Sequence, residues 1–176
     1  MTRLFFLTLA CSLGAAHNQQ PLQEFQNRVS EYRKLHNKAR SEIPRLKPTP
    51  SPENIAKHER ALAYRIREAR RHAAQGNIFT PEIAAELKRL IGETLKGSDA
   101  VTIKQSLARS EPVQLRELRV NQAYPEGVPL QTTPPSLLLN LPKLPQGYEY
   151  RLVNNNLVLF DVEANLIVDF MPNAIP

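Results

Sequence analysis

The chain has little of what most catalytic and redox sites are built from. Its 176 residues include one cysteine, no tryptophan, two methionines and six glycines, and aromatic residues make up only 6%. Aspartate occurs only at Asp99, Asp161 and Asp169. The shortage of glycine excludes most. A phosphate-cradling loop needs clustered glycines so that backbone N–H groups can reach the ligand, and a nucleophile elbow needs glycine on both sides of its serine. Neither pattern occurs. A single cysteine, Cys11, supports no internal disulfide and no cysteine-based zinc site. "HERAL" at 58–62 begins as a zinc-protease motif does, but Leu62 stands where the second histidine must be. His58 and His72 would lie about 21 Å apart along a helix, too far for one metal ion to bridge. With no catalytic constellation in view, the sequence predicts a protein that is not an enzyme and carries no cofactor.

Long apolar runs are also missing after the first twenty residues, so no later segment is a candidate membrane span. The N-terminal "MTRLFFLTLACSLGAAHNQQ" is different. Arg3 gives a short positive region, residues 4–13 an apolar stretch, and Gly14-Ala15-Ala16 a small-residue exit. This is the layout of a secretory signal peptide over residues 1–16, which predicts an exported, periplasmic or secreted protein. Cleavage after Ala16 would discard Cys11. The alternative is a lipoprotein anchored at Cys11, although Thr8 stands where such sites favour leucine. Cleavage would also make His17 the new N-terminus, a weak copper candidate through its α-amine and ring. A second histidine would be needed, and the spacing of His36, His58 and His72 does not direct any of them to it.

What the chain does have is charge and amphipathic periodicity. Lysine and arginine exceed aspartate and glutamate by 23 to 17, a net charge of +6. Leu22, Phe25, Val29, Tyr32, Leu35 or His36, Ala39 and Ile43 recur every three or four residues, one stripe of a first helix. Pro44, Pro48 and Pro50 stop it. Ser51 and Pro52 then read as the cap and first residue of a second helix over 52–75. On that helix Ile55, Leu62, Ile66, Ala69 and Ala73 share one arc, expected to be core. Lys57, Arg60, Tyr64, Arg67 and Arg71 fall nearly opposite and form the anion-binding candidate, for lipid, polysaccharide or nucleic acid. The plainer reading is a solvent face, diluted by Glu53, Glu59 and Glu68. Thr80, Pro81 and Glu82 open a third helix that buries Ile83, Leu87, Leu90, Ile91 and Leu95. Residues 98–110 predict a short fourth.

From residue 124 to 145 six prolines forbid helix and predict an extended segment whose leucines lie against the folded body. The last stretch reads as a three-stranded antiparallel meander. Tyr148, Tyr150 and Leu152 alternate with polar residues, Asn154-Asn155-Asn156 turns, residues 157–162 form a central strand, and Glu163-Ala164-Asn165 turns again. Leu166, Val168 and Phe170 are expected on one face with Asp169 on the other, leaving Asp161 and Asp169 at half-exposed strand positions. So small a sheet needs the helices laid on its apolar face.

"LPQGYEYRLVNNNLVLFDVEANLIVDF", residues 144–170, resembles the C-terminal meander of small periplasmic proteins of the RcnB nickel/cobalt-homeostasis type and related exported families. The resemblance implies a role in periplasmic metal homeostasis, but no metal-binding residue carries over onto a matched position. "FTPEIAAELKRL" looks like a helix start in periplasmic stress chaperones of the CpxP and Spy type, without their Leu-Thr-x-x-Gln signature. The sequence therefore predicts an α+β protein organised as 1–16 signal peptide, 17–110 helical region, 111–146 extended segment and 147–176 meander. Its expected role is that of an exported, non-enzymatic binding or structural protein of the cell envelope. The alternatives are a periplasmic metal-homeostasis protein and a cytoplasmic basic protein that binds nucleic acid.

Overall fold

A computed structural model describes residues 19–98, 100–109, 117–125 and 131–175. The signal-peptide stretch, Cys11, His17 and Asp99 lie outside the described residues, as do 111–116 and 126–130 of the extended segment. Five helices are present among them: α1 Gln19–Ser41, α2 Pro52–Ala69, α3 Pro81–Thr94, α4 Ala100–Arg109 and the one-turn α5 Pro135–Leu138. Four strands, β1 Gln131–Thr132, β2 Tyr148–Val153, β3 Asn156–Asp161 and β4 Leu166–Met171, form one antiparallel sheet in the order β1-β2-β3-β4. The α+β class is as the sequence predicts.

Local chemistry sets the helix starts. Ser51 accepts the N–H of Asn54 and Thr80 that of Ile83, each ahead of a proline at the first helical position. The stripe of α1 buries Phe25, Val29, Tyr32, His36 and Ala39, so His36 rather than Leu35 takes the innermost place. Helix α2 is shorter than its periodicity implies. It ends at Ala69, where Arg70 leaves helical geometry at φ −121° and ψ 31°. The cause is the Arg70 side chain, which turns inward to Asn121 and the Val168 carbonyl. The core face of α2 is therefore Leu62, Ala63 and Ile66, while Ala69 and Ile55 of the expected arc are exposed and Ala73 is half-buried beyond the helix.

The prolines do not exclude helix between 124 and 145. Pro134 precedes α5 and Pro135 occupies its first position, where a missing N–H breaks no hydrogen bond. The same stretch supplies β1, so the sheet has four strands instead of three. Leu137 and Leu141 of this stretch enter the main core.

That core is shared. Phe25, Leu62, Ile66, Ile83 and Leu87 from the helices meet Tyr150, Leu157, Leu159, Leu166 and Val168 from the sheet. The opposite face buries Val153, Val158, Phe160 and Ile167 under Tyr124. The turns use asparagine in the left-handed region, Asn154 at φ 54° and Asn165 at φ 48°.

The expected facing of β4 needs correction. Leu159 pairs with Asp169 but Phe160 with Ile167, so one extra residue interrupts the ladder there. A bulge of this kind breaks strict alternation. Val168 lies in the helix-side core while Phe170 packs on the far face, and Asp169 reaches the helical layer. Its carboxylate is fully buried and accepts the backbone N–H groups of Gly76, Ile78 and Phe79, fixing the α2–α3 connection to the sheet. Gly76 sits at φ 89° in that connection, a conformation few other residues adopt. Replacing Asp169 by Ala would strand these donors, each costing about 1–3 kcal/mol. Urea unfolding of Asp169→Ala is expected to show a loss of at least about 3 kcal/mol. A loss below about 1 kcal/mol would contradict this role.

Candidate functional site

Tyr32 and His36 stand four residues apart on α1, one turn above the other on its buried face. Both reach Asp161, the last residue of β3. The Tyr32 hydroxyl donates to Asp161 Oδ2 at 2.7 Å, and His36 Nδ1 lies 2.7 Å from the same oxygen. The second oxygen, Oδ1, accepts the Ala164 N–H at 3.1 Å. The half-exposed position expected for Asp161 is thus not what forms, because the helical layer closes over the end of β3 and leaves the residue 0% exposed.

The other side of the His36 ring meets Glu163. Nε2 lies 3.2 Å from Glu163 Oε2, while Arg40 Nε and His58 Nε2 approach Oε1 at 3.0 and 3.5 Å. One carboxylate in the β3–β4 turn is therefore held by two residues of α1 and one of α2. The Tyr148 ring packs edge-on against both Tyr32 and His36, and the Arg70 guanidinium lies 4.9 Å from the centre of the Tyr32 ring. Glu163, Asn37 and Arg40 border two clefts, of about 630 Å³ towards His58 and about 370 Å³ towards Arg33 and Tyr148.

Burial alone would lower the pKa of His36, but the hydrogen bond and charge of Asp161, reinforced by those of Glu163, raise it above the ordinary 6.5. Burial, followed by the charge and hydrogen bond of Asp161, raises the Tyr32 hydroxyl well above its usual range. Desolvation lowers Arg70. A proton on Nδ1 faces Asp161 and one on Nε2 faces Glu163, so the two carboxylates favour the charged form of the ring. The Asp161–His36 pair has the geometry of a base and its orienting acid, but Nε2 faces a carboxylate and no hydroxyl or thiol nucleophile. Among the described residues, no group of three His, Cys, Asp or Glu side chains is arranged to hold a metal ion. The nitrogens of His36 and His58 that face Glu163 are spent on its oxygens.

The cationic stripe is only partly continuous. Lys57, Arg60, Tyr64 and Arg67 lie exposed on α2, with Tyr64 58% accessible. Arg67 Nε donates to the Asn121 carbonyl at 2.8 Å. Arg71 lies beyond the end of α2, where it lines a separate groove with Arg70 and His72. Sequence reading gives His36, Asp161 and Glu163 places in a helix stripe, a strand and a turn but no part in a site, and it does not single out Arg70. The available signal was the spacing of Tyr32, His36 and Arg40, three polar-tipped residues four apart, on or beside the apolar stripe.

The raised pKa of His36 fixes the sign of a pH effect. The folded chain holds this proton more tightly than the unfolded chain, so its stabilisation is complete below the ordinary value of 6.5 and is lost as pH rises through the raised folded value. Urea unfolding followed from about pH 6 upward is expected to show falling stability, and His36→Gln to flatten that slope. An unchanged slope in His36→Gln would contradict the assignment.

No helix of the described residues is long and apolar enough to cross a membrane. No protein-family model matches the chain, and no curated protein matches it. A solved structure, the C-terminal domain of inner membrane protein CigR from Salmonella enterica, is 28% identical over 52% of this chain and 84% of that one. Its TM-score is 0.32, which does not establish a shared fold.

Proposed function

We propose that this chain is an exported, non-enzymatic binding protein of the cell envelope that presents the cationic face of α2 to anionic lipid headgroups. The carrying observation is the state of the charges on that face. Lys57 and Arg60 on that face, and Arg71 just past the helix end, form no ion pair or hydrogen bond among the described residues, and Arg67 bonds only a backbone carbonyl. By contrast, Arg28, Lys34 and Arg65 on the same pair of helices each have a glutamate partner, Glu24, Glu31 and Glu42. Paired charges cancel beyond a few ångströms, whereas the unpaired cations here, only partly offset by exposed Glu53 and Glu68, leave a net positive field that attracts anions. Tyr64 sits among them with its ring exposed, suited to the boundary between headgroups and acyl chains. Export rests on the layout of residues 1–16, and the net charge of +6 points the same way for the partner.

Each cation near an anionic leaflet contributes about 1 kcal/mol. The triple variant Arg60→Gln, Arg67→Gln, Arg71→Gln should therefore bind phosphatidylglycerol vesicles on the order of 100-fold more weakly, with the chain still folded and its melting temperature lowered only by the loss of the Arg67–Asn121 bond. Raised salt should weaken the unmodified chain in the same direction. Equal vesicle binding by the variant and the unmodified chain, measured by co-sedimentation, would overturn the proposal.

A further inference from the structure

A second concentration of positive charge lies at the other end of α2, beneath the connection from α1. A pocket of about 480 Å³ opens there, within the size range of small-ligand sites. Arg45 and Lys47 come from the connection and Lys57 from the second turn of α2, while Ile43, Leu46 and Ala61 supply apolar wall. Its lining contains no aspartate or glutamate. Arg45, Leu46 and His58 also line the adjoining cleft, where Glu59 and Glu163 are present, so the acid-free side is the one towards Lys47 and Lys57.

The three cations also lack internal partners. Arg45, Lys47 and Lys57 make no ion pair or hydrogen bond among the described residues. Like charges gathered around one cavity repel one another, so the folded chain gives up free energy to keep them together. An anion seated between them removes that cost. The first turn of α2 brings Asn54 to the rim, so the partial positive charge of the helix start adds to the same field. Pro44, Pro48 and Pro50 restrict the connection, and Thr49 Oγ1 accepts the Ser51 N–H at 3.1 Å. Little ordering is then left for a ligand to impose.

We propose that this pocket binds an amphiphilic anion, a phosphate or carboxylate head carrying an alkyl chain. The head would lie among Arg45, Lys47 and Lys57 and the chain along Ile43, Leu46 and Ala61. Guanidinium and ammonium groups suit such heads, Arg45 by a two-point contact and the lysines as point charges. An inorganic anion would use the charges but leave the apolar wall wet, and a neutral lipid would leave the charges unmet. The site shares only Lys57 with the cationic face of α2, so the two are separable by mutation.

The test is calorimetric titration of the full chain with dodecyl phosphate kept below its micelle concentration. Saturable one-site binding is expected, at least tenfold weaker in Arg45→Gln/Lys47→Gln, weaker in Leu46→Ser, and unchanged in Arg60→Gln/Arg71→Gln. Inorganic phosphate should bind more weakly than the alkyl phosphate. No saturable binding, or equal binding by Arg45→Gln/Lys47→Gln, overturns the proposal. Binding lost in Arg60→Gln/Arg71→Gln instead also overturns it and returns the interaction to the helix face. Phosphatidylglycerol vesicles then separate the sources. Weaker vesicle binding by Arg45→Gln/Lys47→Gln identifies the head as that of a membrane lipid. Unchanged vesicle binding, with dodecyl phosphate binding lost, identifies a free amphiphile.

Discussion

Asp161 and Asp169 have no contact with solvent, and both sit where the sheet meets the helices. A carboxylate cut off from water must find donors inside the protein or cost several kcal/mol. Asp161 finds Tyr32 and His36 on α1, and Asp169 finds the backbone of the α2–α3 connection. The two demands fix the helical layer at two separate places. Apolar contact between Phe25, Leu62, Leu159 and Val168 supplies most of the burial but is indifferent to small shifts of the layer. The carboxylates are not, because hydrogen bonds weaken steeply when misaligned.

Charge is sorted accordingly. At the cleft edge Glu163 gathers His36, Arg40 and His58, and further in Arg70 is absorbed by Tyr32, Asn121 and Val168. Outside, α2 keeps Lys57 and Arg60 unpaired while its inner side packs Leu62, Ala63 and Ile66. The inner side of α2 is thus apolar and its outer side carries a net positive charge, and its first turns border the pocket that Arg45 and Lys47 complete.

Much of the fold could be read from the residues. Apolar spacing located α1, α2 and α3, the serine–proline and threonine–proline pairs located two helix starts, and asparagine located the sheet turns. Each of these is a local signal. The length of α2 was misread because Arg70 obeys a partner nearly a hundred residues away, the carbonyl of Val168. The facing of β4 was misread because one added residue opposite Leu159 leaves no trace in hydropathy yet reverses the alternation beyond it. Pro134 and Pro135 read as breakers by density alone, although proline at a helix start is harmless. The exposed cations could be named from helical spacing alone. The arrangement around Glu163 could not, since it joins α1, α2 and the β3–β4 turn, and proximity across 127 residues has no periodicity.

Those separations govern how the chain reaches its structure. Tyr32 bonds a residue 129 positions later, His36 one 125 positions later, and Gly76 one 93 positions later. The loop-closure entropy of such contacts must be met before any of them contributes, which slows folding relative to a chain held by local contacts alone. The buried faces of α1 and α3 have their counterpart in strands near the end of the chain, so the helices cannot complete their burial early. The burial of α1 and α3 is therefore complete only when β2, β3 and β4 are in place, so the helical layer and the sheet form as one unit.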